Sequence, residues 1–174
     1  MSKTAAALFL FICTVIGSMA IAGPAELRRV SFTSYGAARI GMTRHALEEA
    51  LGEKLKSENP DADSESCEYV APSGGYEGLS FMLINQRLAR IDVTSPRVMT
   101  LAGARVGASQ RAVMALYPGR VEVSPHAYTA PDGSYLTVYS SDRRHGIRFE
   151  TDHGKITVFY AGTAEAIQYI EGCQ

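Results

Sequence analysis

The residues able to do chemistry in this 174-residue chain are four histidines, three cysteines, nine tyrosines and scattered carboxylates. His145 and His153 share a stretch with Asp142, Glu150 and Asp152. A zinc site needs ligands that converge at tight spacing, such as two histidines one helical turn apart. These residues instead fall in two polar turns, and their pattern favours solvated side chains. His45 and His126 lie apart from them. No Gly-x-Ser-x-Gly elbow is present, so the strand-to-helix turn of a serine hydrolase has no counterpart. Asp61, Asp63 and Glu65 suggest a calcium loop, but the central glycine and the terminal glutamate of an EF-hand are missing. The expectation is therefore no metal, no cofactor and no catalytic constellation.

Two groups are better suited to recognition. Tyr128, Tyr135, Tyr139 and Tyr160 fall on expected strands, and Tyr76 on a turn. Tyrosine contributes a large contact area and loses little rotamer entropy. In Tyr135-Leu136-Thr137-Val138-Tyr139 the tyrosines share one strand face, and Leu136 and Val138 share the other. If the aliphatic pair faces the core, the tyrosines line the open face. Arg143, Arg144, Arg148 and Lys155 form a basic stretch around the last hairpins, suited to an acidic partner, a lipid headgroup or a glycan, or to guarding a strand edge.

The address is written at the start of the chain. Lys3 precedes the apolar run Ala5 to Ile16, and Ala20-Ile21-Ala22 fits a small-residue cleavage site. Residues 1–22 read as a secretory signal peptide, cut after Ala22, too short to span comfortably. Cys13 lies inside the apolar run behind Ile12 and does not make a lipoprotein signal. The expected mature chain of 152 residues can bury one real core. Loss of Lys3 takes the formal charge from −1 to −2, which argues against nucleic acid as a general partner. No later segment is apolar enough to cross a membrane. Cys67 and Cys173 remain, and two cysteines in an exported chain predict a disulfide. The expected location is periplasmic or secreted.

The elements that must position these residues follow a duplicated plan. Ala38-Arg39-Ile40-Gly41-Met42-Thr43 and Ala104-Arg105-Val106-Gly107-Ala108-Ser109 match at an offset of 66 residues. Each copy opens a short amphipathic helix. Thr43 caps one over Arg44 to Leu51, with Leu47, Ala50 and Leu51 inward and Gly52 as its stop. Ser109 caps the other over Gln110 to Tyr117, with Val113, Leu116 and Tyr117 inward. Strands are expected at Arg28 to Tyr35, Ser66 to Ala71, Gly78 to Ile84, Leu88 to Thr94 and Val98 to Leu101. Five more are expected at Arg120 to Val123, Ala127 to Thr129, Tyr135 to Ser140, Ile147 to Thr151 and Ile156 to Tyr160. Ala166 to Ile170 reads as a last edge strand, and residues 53–66 as a polar loop. The hairpin turning at Asn85-Gln86 recurs at Asp152-His153-Gly154. The fold class is α+β: two tandem helix-plus-antiparallel-sheet units, 23–96 and 97–174, with helices on one face of the sheet.

The motif Arg39-Ile40-Gly41-Met42-Thr43, with Leu47 and Gly52, resembles the helix entry of SmpA/OmlA-type outer-membrane assembly lipoproteins. The tandem arrangement is similar to that of the β-lactamase inhibitory protein family, whose double unit grips an enzyme with its sheet. The resemblance implies a non-enzymatic module that binds another protein, such as an enzyme it inhibits, through the open sheet face. The alternatives are an accessory of cell-envelope assembly and, ranked lower, a hydrolase with a dispersed site.

Overall fold

The structure, a computed structural model, describes residues 29–59, 66–74 and 78–173. The expected signal peptide with its cut after Ala22, the acidic run Asp61, Asp63 and Glu65, and Tyr76 lie outside the described residues. Twelve strands and two helices follow one another there. β1 is Arg29–Val30, β2 Ser34–Tyr35, β3 Ala38–Arg39, α1 Arg44–Leu51 and β4 Leu55–Ser57. β5 is Cys67–Pro72, β6 Leu79–Ile84, β7 Arg87–Val93, β8 Met99–Thr100 and α2 Gln110–Leu116. β9 is Val121–Pro125, β10 Ser134–Tyr139, β11 His145–Asp152 and β12 Lys155–Thr163, and a 3-10 turn at Ala166–Gln168 closes the chain. Among the described residues no helix is long and apolar enough to cross a membrane.

Local chemistry sets both helices. The Thr43 hydroxyl accepts from the Ala46 amide at 3.3 Å, and the Ser109 hydroxyl from the Ala112 amide at 3.1 Å. Each thereby satisfies an amide that a helix start leaves without a partner. Gly52 ends α1 at φ 72°, a left-handed conformation that costs glycine little. α2 ends instead at Tyr117, which turns into the core and donates its hydroxyl to Thr100 Oγ1 at 2.9 Å. Leu116, expected inward, is left exposed because Tyr117 takes the core position beside Val113. In α1 Leu47 is fully buried, while Leu51 packs only partly against the core and Ala50 lies at its margin.

The strands make two sheets. The larger has the order β4-β5-β6-β7-β12-β11-β10-β9 and every neighbouring pair is antiparallel. The smaller has the order β3-β2-β1-β8 and is mixed, because β1 runs parallel to β8. The class is thus α+β. Side-chain alternation makes the larger sheet two-faced. One row of partners crosses it as Leu79, Val93, Phe159, Phe149, Leu136 and Val123. The five from Leu79 to Leu136 enter one core with Leu47 and Val113 of the helices and Val30 and Tyr35 of the smaller sheet. Helices and small sheet therefore cover one face of the large sheet.

The two halves of that sheet share details. Gly41 (φ 91°) donates its amide to Leu88 O at 2.7 Å, and Leu88 donates to Met42 O at 2.8 Å. Gly107 (φ 83°) donates to Ile156 O at 2.8 Å, and Ile156 to Ala108 O at 2.9 Å. A register shift falls at Met82/Leu83 in one hairpin and at Glu150/Thr151 in the other. Both hairpins turn through two residues of positive φ, Asn85-Gln86 and His153-Gly154, as tight antiparallel turns require.

Four expected elements differ. The alternating run Arg28 to Tyr35 is two strands: Ser31 to Thr33 turns the chain, with Ser31 and Ser34 hydroxyls 2.6 Å apart. Ala127 to Thr129 is a turn, held where its amides meet the His126 ring. Ala166 to Ile170 forms the 3-10 turn instead of an edge strand, since Ala166 donates to Thr163 Oγ1 at 3.1 Å. Part of the loop 53–66 is β4, an edge strand pairing Leu55, Lys56 and Ser57 with Pro72, Ala71 and Val70.

Candidate functional site

The face of the large sheet opposite the core carries the chemistry. Its central row of partners is Ser80, Asp92, Tyr160, Arg148, Thr137 and Glu122. Period-two alternation puts them there, because each flanks an aliphatic or aromatic core residue in its own strand. Arg90 and Asp92 flank Ile91 on β7, and Arg148 and Glu150 flank Phe149 on β11.

Arg90, only 4% exposed, is the hub. It binds Asp92 in a fork, Nε to Oδ2 at 3.0 Å and Nη2 to Oδ1 at 2.9 Å. It donates to Tyr69 Oη and, through Nη1, to the carbonyls of Ala166 at 2.9 Å and Tyr169 at 2.8 Å. Its guanidinium lies 4.3 Å from the centre of the Tyr160 ring, a cation–π contact. Burial works against charge on Arg90, but Asp92 beside it holds the guanidinium above its ordinary value. Burial pushes the Asp92 carboxyl upward, and the arginine opposes that push. The Tyr69 and Tyr160 hydroxyls are raised too, first by burial and then by the charges of Asp92 and Glu150 respectively.

The network continues along the face. Tyr160 donates to Glu150 Oε1 at 3.0 Å, and Glu150 Oε2 lies 3.2 Å from His126 Nε2. His126 Nδ1 accepts from the amides of Tyr128 at 3.2 Å and Thr129 at 3.3 Å. That arrangement assigns the ring proton to Nε2, which donates to Glu150. The His126 ring stacks on Tyr135, centroids 4.5 Å apart. Arg148, 7% exposed, lies over the other partner of that stack, 4.8 Å from the Tyr135 centroid. It donates to Thr137 Oγ1 at 3.1 Å and to Gln168 Oε1, and Gln168 donates in turn to Tyr139 Oη at 2.9 Å. The C-terminal segment is thus held across the face, and Cys67 and Cys173 bond covalently at its end.

Leu136 and Val138 enter the core, so Tyr135 and Tyr139 lie on the opposite face, where Tyr160 pairs with Arg148, but accessibility divides the three. Tyr160 is 2% exposed and Tyr135 is likewise buried. Tyr139 is half-buried, with Arg143 4.2 Å over its ring, and Tyr128 is 65% exposed on the turn after β9. The basic stretch does not form one patch. Arg143 and Arg144 sit in the turn before β11, Arg148 is buried within it, and Lys155 lies beyond its far end. The eight residues of β11 separate the ends by roughly 25 Å. The same length divides His145 from His153, whose ring pairs with Asp152 at 2.9 Å. His45 is exposed, 3.6 Å from Glu49. Among the described residues no three side chains of metal-binding type converge.

Sequence reasoning missed Arg90, Asp92, Tyr69, Glu150, His126 and Gln168 as members of one network. The available signal was an arginine and an acid two apart on two strands that otherwise read as apolar. The turn carrying Arg143 and Arg144 has its own order. Asp142 accepts from the Ser140 hydroxyl at 2.7 Å, from the Arg144 amide at 3.1 Å and from Arg144 Nε at 2.7 Å. The serine hydroxyl first, then the two arginine donors, hold its carboxyl well below the usual value of 3.8. A folded pKa below the unfolded one stabilises the turn above the unfolded pKa, and that contribution is lost as pH falls through the folded value. Carboxyl-carbon NMR should therefore put the Asp142 midpoint below 3.8, and Ser140→Ala should raise it; an ordinary midpoint would mean the turn is open in solution.

No protein-family model matches the chain, and no curated protein matches it. Among solved structures the fold is similar to the crystal structure of the uncharacterized protein yfeY from Escherichia coli. The TM-score is 0.50 at 14% identity, over 77% of this chain and 99% of that one. A crystal structure of an extracellular protein containing a SCP domain, from Bacillus anthracis str. Ames, aligns with TM-score 0.48 and 12% identity. That alignment covers 74% of this chain and 45% of the other. At these identities the likeness to yfeY is one of fold.

Proposed function

We propose that the chain is an exported, non-enzymatic module that binds another protein with the polar face of its large sheet. The observation that carries this reading is the division of that face into a buried, bonded centre and an exposed rim. Arg90, Arg148, Tyr135 and Tyr160 are buried and held by hydrogen bonds and ring contacts, while Tyr128, Arg143 and Arg144 are exposed at its rim beside the half-buried Tyr139. A rigid support lowers the entropic cost of ordering the contact residues on binding. The network is poorly suited to acid–base catalysis, because His126 has its Nδ1 lone pair on two amides and its Nε2 on Glu150. Export is supported by the Cys67–Cys173 bond, which suits an oxidising compartment, and by the N-terminal sequence pattern.

The module reads as two copies of one unit. Matching glycine-to-hairpin bonds, matching helix caps and matching register shifts support that reading, as does the mirrored order β4-β5-β6-β7 against β12-β11-β10-β9. The test is crosslinking in cells followed by mass spectrometry. A dominant soluble enzyme is expected, and inhibition of it would be assayed next; envelope-assembly components would move the protein to the accessory role. Tyr128→Glu and Arg144→Glu should each reduce the crosslinked partner at least fivefold without changing the melting temperature. Unchanged capture by both variants would remove this face as the contact surface.

A further inference from the structure

We infer that the free edge of β9 takes up an extended segment of the partner, one with a carboxylate near its C-terminal end. The inference rests on the protein-binding reading and names the kind of partner it requires. Among the described residues β9 is the outer strand of the large sheet and pairs only with β10. The His126 amide donates to Gly133 O at 3.1 Å, so position 126 belongs to the set bonded toward β10. By antiparallel alternation Glu122 and Ser124 share that set, opposite Thr137 and Tyr135. The N–H and C=O groups of Val121 and Val123, and the carbonyl of Pro125, therefore point away from the sheet. They form a short template of the kind that captures another strand. The strand is also open to solvent: residues 122–125 are exposed and Val123 is 50% accessible.

Charge at the end of β9 says what the segment must bring. A cleft of about 660 Å³ opens there, with Phe32, Arg120, Glu122, Tyr139 and Arg143 on its walls. Glu122 is neutralised by Arg143 at 2.9 Å. Arg120 donates to the Tyr139 carbonyl at 2.8 Å and lies 5.8 Å from the Phe32 ring centre. Among the described residues no carboxylate is within ion-pair distance of it. The cleft thus keeps one uncompensated guanidinium, fixed in direction by a backbone bond and free to bind an anion as a fork. A segment running antiparallel to β9, as β10 does on the other side, brings its C-terminal end to this cleft. Its carboxylate can be an Asp or Glu side chain or the chain terminus.

The probe is an array of random eight-residue peptides, each made with a free and with an amidated C terminus, screened against the purified protein with its disulfide intact. Bound peptides should be enriched in acidic groups over their last two positions. Loss on amidation would identify the terminal carboxylate as the source, and retention an acidic side chain. Val123→Pro removes an outward N–H while sparing the ladder to β10, so it should weaken the best peptide at least tenfold with the melting temperature within a few degrees. Arg120→Gln should weaken it about tenfold and erase the acidic preference. N-methylation of alternate peptide amides tests the same pairing without altering the protein. The inference is overturned if no peptide binds, if no acidic enrichment appears, or if binding survives both Val123→Pro and N-methylation. It is also overturned if sedimentation shows a dimer that Val123→Pro dissolves, since a second copy would then occupy the edge. A crosslinked partner retained by Val123→Pro but lost in Tyr128→Glu would sink the edge and leave the binding face in place.

Discussion

Arg90→Ala should lower stability by about 3–5 kcal/mol, the usual result of removing one member of a buried, hydrogen-bonded charge pair. The loss is large because the arginine is 4% exposed and its partners have no ready substitute. Asp92 would keep a buried charge without its counter-ion, and the carbonyls of Ala166 and Tyr169 would lose a donor. For a domain of this size that corresponds to a fall in Tm on the order of 10 °C. Arg90→Lys should fall between wild type and alanine, because an ammonium cannot reproduce the fork on Asp92 while reaching two carbonyls. Arg90→Met combined with Asp92→Asn should recover much of the loss, because it removes the uncompensated charge. Chemical denaturation decides the matter: a cost below about 1 kcal/mol for the alanine variant would mean that water reaches the network and that the face is not locked.

Replacing both cysteines, Cys67→Ser with Cys173→Ser, should cost about 2–5 kcal/mol. The bond closes a loop of 106 residues, and the chain-entropy account puts such a loop near the top of that range. The consequences are also local. The disulfide anchors the segment that Arg90 and Gln168 tie across the sheet, so its loss should free that segment first. Amide exchange at Gln168 and Tyr169, which donate to Glu165 O and Ala166 O, should accelerate more than exchange in β11 or β12. Combined with Arg90→Ala the effects should fall short of additive, because both changes release the same segment. An unchanged Tm under a reductant that demonstrably opens the bond would refute the anchoring role.

Legibility followed the range of the interaction. The limits of α1 were readable because Thr43 and Gly52 act on amides within the helix itself. The two hairpins were readable because period-two alternation and two-residue turns are local. Arg28 to Tyr35 misled because its alternation continues straight through a serine-stabilised turn, and alternation carries no information about a reversal. β4 was hidden because three residues at a sheet edge carry too little pattern to rise above a polar loop. The shared face of Tyr135 and Tyr139 followed from alternation, whereas the place of Tyr160 beside them depends on strand pairing and the accessibility of all three on what is laid over them. The arginines of the last hairpins looked like a cluster because sequence proximity says nothing about an extended strand holding its ends apart.

By itself the sequence determined the α+β class, both helix starts, the division of Tyr135 to Tyr139 into two faces and the expectation of a bond between Cys67 and Cys173, because caps, alternation and a two-cysteine count are short-range or compositional signals. The tertiary structure alone decided that Arg90 and Arg148 are interior, that His126 belongs to Glu150, and that β9 is an edge. Those outcomes depend on which strands become neighbours, on β7 meeting β12 and on the chain end folding back over the sheet. They are contacts between residues far apart in the chain, which no local pattern encodes.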